Sequence, residues 1–168
     1  MPVDSFTWLP RSLAAMYQGV ALEREEAPWT RLAKPIEQCR FALLTTAGLY
    51  LKGQDPPFDL EREKREPFWG DPTYRIIPRD VGQEDVGAAH LHINTEDLLQ
   101  DMNTALPIQR FLELEEAGEI GSLAPSHYSF MGFQGFPANT APWRDQYGPE
   151  VARRMKEEGV DAALLTPI

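Results

Sequence analysis

At 168 residues, 42% hydrophobic and 25% charged, the chain has the size and composition of one globular domain with a sizeable core, unlike a disordered segment. Its 26 acidic against 16 basic side chains give a formal net charge of -10, which excludes the basic footprint of a nucleic-acid binder and argues against docking on anionic membranes. One cysteine, Cys39, leaves no intrachain disulfide, no apolar run approaches the roughly 20 residues of a membrane span, and the N-terminus with Asp4 and Pro10 does not read as a leader, so a cytoplasmic location is expected.

Residues 12–17 fit a short helix with Leu13, Met16 and Tyr17 on one side, and 23–26 form a solvated charge run. Prolines 28 and 35 impose extended backbone on the residue before each, so 1–39 reads as an arm wrapping the core, anchored by Trp8 and Trp29. Residues 40–46 are apolar on both faces, as in a strand covered by helices on either side, and Ala47-Gly48-Leu49 turns the chain at its carboxyl end. Residues 53–72, rich in proline, glycine and charge, predict a long loop of the kind that is often functional. Strands are expected over 74–78 and 89–94, followed by an N-cap at Thr95 with Glu96 and Asp97 in the first turn.

Pro107 opens a helix in which Ile108, Phe111, Leu112 and Glu115 follow at helical spacing, and Gly118 ends it in the left-handed region. Residues 127–132 predict a strand leading into a glycine, proline and aromatic loop. A last helix over 149–158, with Tyr147, Val151 and Met155 inward and Gly159 as its cap, leads to a buried strand over 160–168. Strands alternating with helices predict a single α/β domain over 40–168, doubly wound around a largely parallel sheet in a Rossmann-like or flavodoxin-like three-layer arrangement. Ligands in such folds bind beyond the carboxyl ends of the strands, here 45–48, 78–80, Asn94, 131–132 and 166–168.

His90 and His92, two apart, point to one side if they lie on a strand; with His127 or Asp101 they would suit a divalent metal, and otherwise serve as hydrogen-bonded or substrate-contacting histidines. Thr45-Thr46-Ala47-Gly48 offers two hydroxyls and a turn whose N–H groups suit an anion, or is simply a strand-terminal turn; it lacks the phosphate-loop pattern. Arg75 suits bidentate binding of a carboxylate, or pairing with Asp71. Cys39 reads as a small core residue rather than a nucleophile, and no Ser/His/Asp motif, dinucleotide-binding glycine fingerprint or CxxC pair is present.

Several strings, in order from about residue 27 to the end, resemble one family. They are Ala27-Pro28-Trp29-Thr30-Arg31-Leu32-Ala33-Lys34-Pro35, Ala42-Leu43-Leu44-Thr45-Thr46-Ala47-Gly48-Leu49, Pro57-Phe58-Asp59 and Gly70-Asp71-Pro72-Thr73-Tyr74-Arg75-Ile76-Ile77-Pro78. His90-Leu91-His92, Asp101-Met102-Asn103 with Pro107, Gly118-Glu119-Ile120-Gly121 and Tyr128-Ser129-Phe130-Met131-Gly132 follow. The set resembles the selenoprotein B family, the B components of glycine, sarcosine and betaine reductases and of D-proline reductase.

The resemblance implies reductive cleavage of a C–N bond in an amino acid or amine, work inside a multi-subunit complex or a homo-oligomer, and a selenocysteine or cysteine as redox centre. No cofactor or metal is otherwise implied. In such relatives the redox residue follows a strand reading like Leu164-Leu165-Thr166-Pro167-Ile168, so it is expected after Ile168 and none is expected within the chain. Two accounts follow: a fragment ended at a UGA selenocysteine codon, or a naturally short binding or partner subunit. A metal-dependent enzyme using His90 and His92 is the alternative from another class. Under the reductase reading His90 and His92 are acid/base or substrate contacts, Thr45, Thr46 and Gly48 frame the redox position, Arg75 holds a substrate carboxylate, and Tyr128 joins the substrate-binding set.

Overall fold

The computed structural model describes residues 30–168 and, singly, Thr7, Pro10, Arg11 and Ala15. The chain divides into two units, Met1–Arg31 and Leu32–Ile168. In the first, Thr7, Arg11 and Ala15 are helical and exposed. The rest of the helix expected over 12–17, the charge run 23–26 and the anchors Trp8 and Trp29 lie outside the described residues.

In chain order the second unit has strands β1 (Arg40–Thr45), β2 (Leu49–Leu51), β3 (Tyr74–Pro78), β4 (Val86–Ala88), β5 (Ser122–Leu123), β6 (Ser126–Phe130) and β7 (Ala162–Thr166). Its helices are α1 (Leu60–Arg65), α2 (Glu96–Gln100), α3 (Ile108–Glu116) and α4 (Gly148–Glu157). β1 is the centre: β5 and β6 run parallel to it on one side, β7 parallel on the other. β3 pairs antiparallel with β6, and β2 and β4 form a separate antiparallel ribbon. The result is a mixed α/β domain with a curled, mostly parallel sheet. Among the described residues no helix is long and apolar enough to cross a membrane.

Successive strand residues point to opposite faces, so Leu43 and Leu44 mark the two sides of the sheet. Leu43, with Ile77 and Leu123, packs in a cluster with Leu98 of α2 and Ile108, Phe111 and Leu112 of α3. Leu44 and Ile76 pack on the other face with Tyr128, Phe130, Trp143 and Tyr147, and with Val151 and Met155 of α4. Helices therefore cover both faces, as the apolar run of β1 requires. Fully burying Leu43 alone contributes roughly 1.5–3 kcal/mol.

The caps act as expected at two helices. Gly118 and Gly159 follow α3 and α4 with φ of +72° and +70°. At α2 the capping side chain is Asn94, whose Oδ1 accepts the N–H of Glu96 at 3.0 Å, while Thr95 makes no capping bond.

Three expectations are corrected. Residues 53–72 are not one loop: Asp59 accepts the N–H of Arg62 at 2.8 Å and starts α1. Residues 89–94 are not a strand, because pairing stops at Ala88 and the backbone bends through 91–93. β7 is not buried: among the described residues it pairs only with β1, its residues alternate between half-buried and exposed, and Leu165 is 62% exposed.

A bulge explains the one histidine inside the sheet. From Phe41 to Leu44 the register advances three residues on β1 but five on its partner, from Leu123 to Tyr128. The His127 Nδ1 fills the gap, accepting the Leu43 N–H at 3.1 Å. His127 is fully buried, and burial, followed by the nearby Arg79, lowers its pKa from 6.5 to about 4.

In the unfolded chain this ring takes a proton near pH 6.5, in the folded chain only near pH 4, so stability falls as pH drops through that window. The slope is about 1.4 kcal/mol per pH unit. His127→Asn, whose amide oxygen retains an acceptor for Leu43, is expected to remove that slope. Urea unfolding of both proteins at pH 7, 6, 5 and 4.5 measures it; parallel slopes would refute the assignment.

Candidate functional site

The carboxyl ends of β1, β6 and β7 meet at the turn after β1. The Thr45 hydroxyl donates to the Thr166 carbonyl and accepts the Ala47 N–H, both at 3.2 Å. The Thr46 hydroxyl accepts the Ile168 N–H at 2.8 Å and donates to the Ile168 carbonyl at 3.2 Å. The Gly48 N–H donates to Phe130, and the Gly132 N–H to Thr46, both at 2.9 Å. The turn's N–H groups thus have partners within the protein, and its strand-terminal role accounts for them.

Gly48 also sets the course of the histidine segment. Its φ is +68°, and its carbonyl accepts the Ala89 N–H at 2.9 Å. A Cβ at Gly48 would overlap the Ala89 carbonyl oxygen, so the left-handed backbone and the close approach both call for glycine. This contact brings 89–94 to the strand ends although it is not a strand.

His90 and His92 meet there with ring centroids 5.9 Å apart, through a turn rather than by strand alternation. The His90 Nδ1 accepts the His92 backbone N–H at 3.1 Å, which assigns the ring proton to Nε2. That Nε2 is buried and, among the described residues, has no partner. A methyl placed on Gly132 would lie 3.3 Å from it, 3.2 Å from the Thr46 carbonyl oxygen and 2.9 Å from the Ile168 carbonyl oxygen, so the three atoms close around Gly132 and leave no room for a side chain there. Burial first, and then His92, lowers the His90 pKa from 6.5 to about 4. At neutral pH His90 is therefore an uncharged N–H donor.

His92 differs. Its side chain is 48% exposed, its ring rests 4.2 Å from that of Phe133, and its Nε2 lies 2.7 Å from Glu63 Oε1. Glu63, on α1, is only 2% exposed, and its other oxygen, Oε2, is buried without a partner. The sequence reading missed Glu63, which sits in a charged hexapeptide beside the equally acidic Glu61. The available signal was its spacing of three from Leu60, which places it on that residue's face.

The other candidates lie apart from this pair or serve the fold. The Arg75 guanidinium stacks 4.3 Å from the Phe58 ring and donates to the carbonyls of Pro56, Pro57 and Tyr74 and to the Thr73 hydroxyl. It pins the 56–58 loop, and Asp71 accepts from Thr73 and Asp59 instead of pairing with it. Tyr128 is fully buried in the cluster under α4, its hydroxyl unpartnered and its pKa pushed up to about 12, chiefly by burial. Asp101 caps a turn, accepting from Asn103 at 2.7 and 3.0 Å. With His127 in the sheet bulge, neither completes a ligand set with His90 and His92. Among the described residues no group of three His, Cys, Asp or Glu side chains could hold a metal. On the α4 side, Thr46 also lines a shallow apolar pocket of ≈ 210 Å³ with Leu44, Phe130, Trp143 and Leu165.

Comparison with known proteins gives concordant results. The family model for glycine/sarcosine/betaine reductase selenoprotein B matches residues 23–168. The chain is similar to the D-proline reductase subunit gamma of Acetoanaerobium sticklandii, 36% identical over 138 residues, covering 82% of this chain and 52% of that protein. It is also similar to the glycine reductase complex component B subunit gamma of Carboxydothermus hydrogenoformans, 28% identical over 143 residues, covering 84% of this chain and 31% of that protein. The chain thus spans about half the length of the first relative and about a third of the second. No solved structure matches it.

Gly48→Ala tests the hinge of the site. Holding alanine at positive φ and relieving the overlap with Ala89 is expected to destabilise the protein by at least about 1–2 kcal/mol. It should also shift the ring NMR signals of His90 and His92 while leaving those of His127 in place. Unchanged stability and unchanged histidine signals would show that the turn does not hold the segment.

Proposed function

Because the chain belongs to the glycine/sarcosine/betaine reductase selenoprotein B family, we propose that it supplies the amine- or amino-acid-binding part of a reductase-complex subunit performing reductive C–N cleavage. The redox selenocysteine or cysteine is supplied from outside these 168 residues. The observation that carries this reading is the His90 Nε2, buried without a partner among the described residues and packed beside Gly132 where the strands end. A buried donor without a partner is unfavourable unless something else completes it, and a carboxylate or another anionic group of a substrate does so.

Reductive cleavage needs two electrons and a proton for each fragment released. His90, neutral and fixed, suits holding developing negative charge. His92, half exposed and paired with a buried carboxylate, suits moving the proton. Thr45, Thr46 and Gly48 act one step back, holding the end of β7 and the histidine segment in place. The electrons must come from elsewhere, since Cys39 is fully buried at the amino end of β1 with its Sγ against the Pro35 carbonyl at 3.3 Å. β1 is six residues long, which separates Cys39 from the site by roughly 20 Å.

The partners that go with this reading are other reductase subunits or further copies of the chain, in the cytoplasm, with neither nucleic acid nor membrane. The burial of Cys39 also favours a second reading, a subunit that binds the small molecule and performs no chemistry of its own. Binding without turnover after assembly with the other subunits would select it.

The test is titration of the protein with glycine, sarcosine, betaine and D-proline, followed through the His90 and His92 ring signals. At least one is expected to shift both rings, and His92→Ala to weaken its binding about tenfold, 1.4 kcal/mol. If none of the four perturbs either ring, the small-molecule site is refuted.

A further inference from the structure

The burial of Glu63 has no packing rationale. α1 is six residues long, and its other side chains are exposed or half-buried, yet this one carboxylate is carried inside to 2% exposure. Burying a carboxylate is strongly unfavourable unless it is paired, and a leucine at this position would satisfy the face shared with Leu60. Glu63 has one polar partner, His92, at 2.7 Å from Oε1, and Oε2 has none.

His92 is held on three sides. Its backbone N–H is fixed by His90 Nδ1, its ring face by Phe133, and its Nε2 by Glu63. With Oε1 accepting from Nε2–H, the ring's remaining lone pair is on Nδ1, for which no hydrogen-bond partner stands among the described residues.

We propose that Glu63 is the positioning residue of His92: it fixes the Nε2–H tautomer and makes Nδ1 the atom at which His92 accepts and returns a proton. When Nδ1 takes a proton, the imidazolium forms against a carboxylate already in contact with it, and no further charge has to move. The two histidines then have separate duties. His90 presents a fixed N–H beside Gly132, and His92 exchanges protons at Nδ1. The inference rests on the reading of this cleft as the reductase site, but its first test does not.

That test is NMR of the 15N-labelled histidine rings at pH 8. The wild type is expected to show a slowly exchanging, downfield His92 Nε2–H signal and an unprotonated Nδ1, as a charge-assisted hydrogen bond of this length gives. Glu63→Gln keeps an acceptor oxygen, so it should retain the signal but move it upfield. Glu63→Leu should speed its exchange with water at least about tenfold, with the His127 signals showing that the sheet is intact. A proton on Nδ1 in the wild type would overturn the proposal even if neither variant folds, and so would an exchange rate unchanged in Glu63→Leu.

The second arm uses the assembled reductase complex, where Glu63→Gln is expected to lower kcat about tenfold at a KM within about twofold. Unchanged kcat with the spectral result intact would leave Glu63 a structural partner and sink its part in proton transfer. Failure of every amine or amino acid to bind, with the spectral result intact, would instead refute the site reading and leave the dyad standing.

Discussion

The hydrogen bonds that close the carboxyl end of β1 determine where everything else at this end of the molecule sits. Thr46 alone joins β7 to β1 beyond the last ladder pair, through both the N–H and the carbonyl of Ile168. Gly48 joins β6 on one side and the histidine segment on the other. These are backbone contacts or contacts of short, stiff side chains, which lose little rotamer freedom when ordered. A cleft held by such contacts can keep two imidazoles in fixed positions although the segment carrying them has no secondary structure of its own.

Burial acts on the two low-pKa histidines in the same direction, yet it serves different ends. His127 takes the place of a missing strand partner for Leu43, and its neutral form is the one the sheet can accommodate. His90 takes the place of a turn closure for His92, and its neutral form leaves a buried N–H packed against Gly132. The pKa alone does not tell a structural histidine from a functional one. What tells them apart is the location of the unpartnered nitrogen: one in the sheet interior, the other where three strands end. Glu63 adds a carboxyl group at low exposure, 2.7 Å from the more open His92.

Much of the frame was legible in the sequence because the local rules agreed with the packing. β1 and β3 follow from apolar runs bounded by turns, and the ends of α3 and α4 from Gly118 and Gly159, where the left-handed backbone needs glycine. The errors arose where tertiary contacts override a local pattern. His90-Leu91-His92 alternates like a strand, but the hydrogen bond from Ala89 to Gly48 and the ring contact of His90 bend it into a loop. The run from Ala162 is apolar enough for a central strand, yet among the described residues only β1 pairs with it. α1 was hidden by the prolines on its flank, and β2 and β4, three residues each, are too short to show a period. The histidines were legible as chemistry. Their partner Glu63 was not, because nothing in a charge-rich hexapeptide says which carboxylate faces inward.

Proton chemistry and electron chemistry are therefore unequally represented in these residues. The cleft gathers an uncharged donor, a half-exposed imidazole and a buried carboxylate within a few ångströms, which is what donating, accepting and stabilising protons require. No two-electron centre stands with them, for the one thiol is enclosed at the far end of β1 by the carbonyls of Lys34 and Pro35. To bring Cys39 to His90, β1 would have to leave the centre of the sheet, breaking its pairing with β5, β6 and β7 together. Under the proposed reading, the work of a reductase built on this domain is divided: these residues suit proton handling, and the electrons come from a centre other than Cys39.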